Sequence, residues 1–176
     1  DVSDYSILNT SAIRGNIESV SVNIATTENL NVYSVIQTDV DVLATSSYSN
    51  KLYIPSEGVK IQSMGRNAVL TLHSAISSKS DIQLHSVNKL SIRNDILGNN
   101  ITAIAGEGLN VASGIKVEGH TLELGADTLE NNGSLAGQEV NLNAKTSLLN
   151  RFGGRIWGSK IKLYCEDGVV RNGSLT

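Results

Sequence analysis

Four groups of residues could do chemistry in this chain. His73 in "LTLHS" and His85 in "IQLHS" occupy the same place in two similar motifs, and paired imidazoles are common metal ligands. Asp39 and Asp41 in "TDVDV" alternate with apolar residues, so both carboxylates point to one side, as sugar hydrolysis requires of an acid pair. Arg151, Arg155, Lys160 and Lys162 surround Trp157, a basic and aromatic grouping suited to an anionic glycan or a phosphate. Asn9, Asn100, Asn132 and Asn172 each open an Asn-x-Ser/Thr sequence, which reads as a glycan acceptor in a eukaryotic secreted chain and otherwise as turn-forming Asn.

Composition narrows these options. The 176 residues carry a net charge of -3, so the concentrated positive field that nucleic acid demands is missing, and no nucleic-acid partner is expected. Cys165 is the single cysteine and can form neither an internal disulfide nor a thiolate metal site. "GEGLN" at Gly106 has no helix after it and reads as a corner, not a nucleotide fingerprint. No catalytic residue, metal or cofactor is expected. No apolar run is long enough for a membrane-spanning helix. "DVSDYSILNT" lacks a basic then apolar leader, so the expectation is either a protein that is not exported or an internal piece of a longer one.

The elements that must position these residues are short strands. Apolar pairs flank one polar residue in "SVNIA", "NLNVYS", "VLTLHS", "DIQLHS", "GLNVAS", "TLELGA" and "KIKLYC", with turn residues between. No segment sustains a helical period, which predicts an all-β chain.

The spacing then forms three columns. One runs Val22, Val42, Ile61, Ile82, Ile101, Leu122, Leu142, Leu163. A second runs Leu30, Leu52, Leu70, Leu90, Leu109, Leu129, Leu149, Val170. The third runs Ile17, Ile36, then skips to Ile76, Ile96, Val117, Leu135, Ile156, Leu175. One shared interval of about twenty predicts a parallel β-helix, or solenoid, with three short strands and about 20 residues per coil. Coils spaced about 4.8 Å apart would number eight or nine and form a rod roughly 40 Å long. Leu122 and Leu142 should be stacked neighbours, and Cys165 should face inward. His73 and His85, twelve residues apart, fall on different faces, so outward polar positions explain them better than a shared metal. "ATSSYSNKLYIPSEG", Ala44 to Gly58, is the expected excursion, with Tyr48 and Tyr53 as candidate partner-binding residues.

From about Leu129 onward, "LENNGSLAGQEVNLNA" and "GGRIWGSKIKLYCEDG" follow the scheme Asn-x-Gly-x-Ile-x-Gly-x-x-Val-x-Leu-x-Ala. The matches are Asn132, Gly133, Leu135, Gly137, Val140, Leu142 and Ala144, then Gly154, Ile156, Gly158, Ile161 and Leu163, with a third copy opening at Asn172 and Gly173. This resembles the haemagglutinin repeat of filamentous-haemagglutinin-like exoproteins of two-partner secretion. The resemblance covers the last third; from Asp1 to Gly125 the columns persist without most of the Asn-Gly corners. It implies a right-handed parallel β-helix shaft in a secreted or cell-surface adhesin or contact-dependent-inhibition effector, exported through a partner outer-membrane barrel. Residues 1–176 would then be one β-helix segment of a longer repeat array, touching a receptor or glycan on a host or neighbouring cell. Two other readings stand beside it: a polysaccharide-acting β-helix enzyme of the phage-tail depolymerase or lyase type, and a cytoskeletal β-helix that polymerises. Because "VVRNGSLT" stops part-way through a repeat, end-to-end self-association is also expected.

Overall fold

Alternation of Val, Ile and Leu with Ser, Asn, Thr and charged residues makes each short segment a strand with one dry face, and small turn residues stop it after a few positions. Such a strand cannot bury its apolar face alone. It needs a ladder of like strands, and the chain supplies one by coiling.

The computed structural model describes residues 5–8, 10–38, 42–45, 51–54 and 58–173, and every helix-or-strand element among them is a β-strand. The strands stack as a β-solenoid of about 7 turns with roughly 21 residues per turn. The first face runs through Ser21–Thr26, Gly58–Ser63, Ile82–Ser86 and Asn100–Ala105 to Lys160–Cys165. The second runs through Leu30–Val32, Val69–Leu72, Lys89–Ile92 and Gly108–Val111 to Val169–Asn172. Thr121–Asn131 and Glu139–Asn150 bend round the corner and belong to both, joining them into one 14-stranded sheet. The third face is a separate 7-stranded sheet from Ile17–Glu18 to Arg155–Trp157. Neighbouring coils pair in parallel throughout.

The third column holds without change: Ile17, Ile36, Ile76, Ile96, Val117, Leu135 and Ile156 are successive rungs, while Leu175 lies outside the described residues. The other two need correction. Leu122 pairs with Val140, and Leu142 pairs with Leu124, so Leu122 and Leu142 are both buried but belong to different columns. Leu148, not Leu149, continues the second column, because the ladder shifts by one residue between Ala126 and Thr128.

Val42 and Leu52 are not rungs at all. Val22 pairs directly with Val59, Leu30 with Leu70 and Ile36 with Ile76. Between them, Val42–Thr45 and Lys51–Ile54 form an antiparallel hairpin of their own. The chain thus inserts a hairpin where a regular coil was expected, which reduces eight or nine coils to about seven. The excursion expected at Ala44 to Gly58 overlaps this hairpin.

One continuous apolar core fills the interior from Ile13 to Leu148. Near the C-terminal end, asparagine replaces the apolar residue at one corner. Val111 is followed in the same column by Asn131, Asn150 and Asn172. The Asn131 amide donates to Asn150 Oδ1 at 2.8 Å, and the Asn150 amide donates to Asn172 Oδ1 at 2.8 Å. Asn131 also accepts from the Gly133 N–H and donates to the Gly133 carbonyl, both at 3.1 Å. A buried amide is tolerated here because its partners are one coil away and in its own turn.

Candidate functional site

The corner between the third and first faces is built from glycine. Gly119, Gly137 and Gly158 follow Glu118, Ala136 and Trp157, which are aligned rungs of three successive coils. A Cβ on Gly137 would sit 2.9 Å from the Gly119 carbonyl, and one on Gly158 would sit 2.8 Å from the Gly137 carbonyl. Only bare backbone allows the coils to approach this closely. The consequence is a shallow open groove with a peptide floor. Glu118, Ala136 and Trp157 line one side and His120, Gln138 and Ser159 the other. Trp157 is 59% exposed.

The five residues expected to form a basic and aromatic patch do not converge. Arg155 and Trp157 share one strand of the third face, whereas Lys160 and Lys162 lie on the first. Arg151 sits at the far corner, where its guanidinium donates to both Glu130 carboxylate oxygens at 3.0 and 3.2 Å. That hydrogen bond, with a second from Asn132, holds the Glu130 carboxyl below its ordinary range. Lys160 faces Glu139 at 3.7 Å. Two of the four cations therefore have carboxylate partners, and no concentrated positive field results.

His73 and His85 are on different faces, as their spacing implies. His85 lies on the outer side of the first face, its rung neighbours being Gln62 and Ile104. His73 follows the second face, directly after Tyr33 in the stack: the His73 N–H bonds to the Val32 carbonyl, one rung from Tyr33. The two rings lie parallel, 11° apart with centroids at 4.4 Å. Arg14, one coil earlier, places its guanidinium carbon 4.5 Å from the Tyr33 ring centroid. His73 Nε2 lies 3.2 Å from Asn31 Oδ1. Burial, then the nearby Arg93 charge, lowers the His73 pKa. This cation and ring ladder escapes a reading of the sequence because Tyr33 and His73 are forty residues apart.

Among the described residues no group of three or more His, Cys, Asp or Glu is placed to hold a metal ion. Asp39, Asp41, Tyr48 and Asn9 lie outside the described residues. Tyr53 belongs to the hairpin strand Lys51–Ile54, where its backbone partner is Leu43. Cys165 continues the inward column above Ala144, packs against the core and is partly covered. Asn100 donates to Asp81 and Asn132 to Glu130, both at 3.0 Å, while Asn172 accepts from the asparagine ladder.

The fold and its corners define a parallel β-solenoid whose side chains offer an open groove and an aromatic ladder. Comparison with protein-family models, curated proteins and solved structures finds no match to this chain.

Proposed function

We propose that this chain is a stiff shaft segment of a secreted or surface-exposed bacterial adhesin, of the filamentous-haemagglutinin-like kind that its last third resembles. The observation that carries the reading is the stacking of coils around one core, continuous from coil to coil along the solenoid. A solenoid of this kind resists bending because each coil is hydrogen-bonded to the next along all three faces. It also presents long outer surfaces for contact, which is what adhesion asks of a shaft. In the parent protein the segment would be exported through a partner outer-membrane barrel and would meet a receptor or glycan on a host or neighbouring cell.

The test is direct. Fluorescently labelled chain is incubated with epithelial cells and with bacterial cells, and bound label is measured by flow cytometry. Saturable binding, competed by unlabelled chain, is the expected result. Absence of binding to every cell type would overturn the adhesive reading. Release of new reducing ends or unsaturated products from acidic polysaccharides would assign the chain instead to the polysaccharide-acting class.

A further inference from the structure

We propose that the glycine-floored groove at the corner of the third and first faces binds a neutral pyranose unit of a glycan, with Trp157 as its stacking platform. The inference rests on the adhesive reading and supplies its ligand class. Three features of the groove carry it.

The first is its shape. Glu118, Ala136 and Trp157 are consecutive rungs, so the indole and the carboxylate stand two coils apart, about 10 Å. Ala136 between them projects only a methyl group, which leaves a bay beside the tryptophan.

The second is its chemistry. A pyranose has an apolar face of C–H bonds and a rim of hydroxyls. It therefore needs an exposed aromatic surface beside groups that both donate and accept hydrogen bonds. Trp157 supplies the first, and Glu118, His120 and Gln138 supply the second within the same groove. The peptide floor adds no side chain that would fill the bay.

The third is charge, which decides among sugars. The Glu118 carboxylate already has the Lys116 ammonium at 2.7 Å, and Glu139 beside the groove has Lys160 at 3.7 Å. Both carboxylates at the groove are thus paired, while Arg155, two residues before Trp157 on the same strand, lies outside the groove's lining. A uronate or sulfated sugar would find no free cation lining the groove, and an amino sugar no free carboxylate. A neutral hexose or N-acetylhexosamine fits best.

Trp157 is the only tryptophan of the chain, so its fluorescence reports on this groove alone. The probes are glucose, galactose, mannose, N-acetylglucosamine, glucuronic acid, heparin fragments, and oligomers of the neutral sugars. A saturable emission change with at least one neutral sugar is expected. By calorimetry, Trp157→Ala should weaken that sugar by about tenfold or more, Trp157→Phe should retain part of the affinity, and circular dichroism should be unchanged because the side chain points outward.

No response to any neutral sugar would overturn the proposal. So would binding confined to glucuronic acid or heparin, or undiminished binding by Trp157→Ala. The cell assay separates this inference from the adhesive reading. If Trp157→Ala adheres as well as the parent, the groove is not the contact and adhesion stands. If sugar binds the groove but no cell binds the chain, the site stands and adhesion fails.

Discussion

Replacing Asn150 by alanine tests the asparagine ladder most sharply. Asn150 is 6% exposed and sits between Asn131 and Asn172. Its side chain accepts from Asn131 at 2.8 Å, donates to Asn172 at 2.8 Å and donates to the Gly154 carbonyl at 3.1 Å. Each such bond contributes about 0.5–1.5 kcal/mol net, so losing three costs roughly 3 kcal/mol. For a chain of this size that is a fall in Tm of roughly 6–12 °C, read by far-UV circular dichroism beside a urea titration. Asn150→Asp should be worse at neutral pH. The carboxylate still accepts from Asn131 but turns oxygen toward Asn172 Oδ1 and the Gly154 carbonyl, where only a donor suits. Asn132→Ala is the control: that amide bonds only to Glu130 at the surface, and its loss should cost well under about 1 kcal/mol. If Asn150→Ala unfolds within about 0.5 kcal/mol of the parent, or if Asn132→Ala is the more damaging change, the ladder assignment is wrong.

Three further expectations follow from packing and charge. Leu142→Ala empties a fully buried rung between Leu124 and Leu163 and should cost about 2–5 kcal/mol in urea unfolding, whereas Leu149→Ala, half-buried and off the column, should cost clearly less. Gly106→Ala drives a methyl group into the Val87 carbonyl of the preceding coil and should destabilise by about 1–3 kcal/mol, although the glycine is exposed. His73 faces Tyr33, Arg93 and Asn31, and its lowered pKa means that the unfolded chain takes up the proton first. Its contribution is complete above the ordinary histidine value near 6.5 and is lost as pH falls below it. Urea midpoints at pH 7.5 and 5.5 should therefore differ more in the parent than in His73→Gln, and equal differences would refute the effect.

Much of the fold is written in the spacing of apolar residues. Short alternating runs separated by turn residues can bury their dry faces only by stacking, and one interval near twenty across three columns permits little besides a three-faced coil. The third column could be read rung by rung from Ile17 to Ile156, because each of its strands offers one inward apolar residue and so one possible register. The first face offers two, as in Leu122 and Leu124 or Val140 and Leu142. A slip of two residues there leaves every apolar side chain inward, so periodicity is blind to it. Backbone pairing decides, and coils of unequal length make it depart from a fixed step. Val42 and Leu52 obeyed the same interval, yet their segment pairs with itself as a hairpin. That local choice brings Tyr33 onto His73 as adjacent rungs, a contact that counting one more coil would have separated. The same holds for the groove. Trp157 is conspicuous in the sequence, but its companions Glu118, His120 and Gln138 are about twenty and forty residues away. They meet only because glycine corners let three coils close on one another, and closure of that kind is a property of the stacked chain rather than of any segment in it.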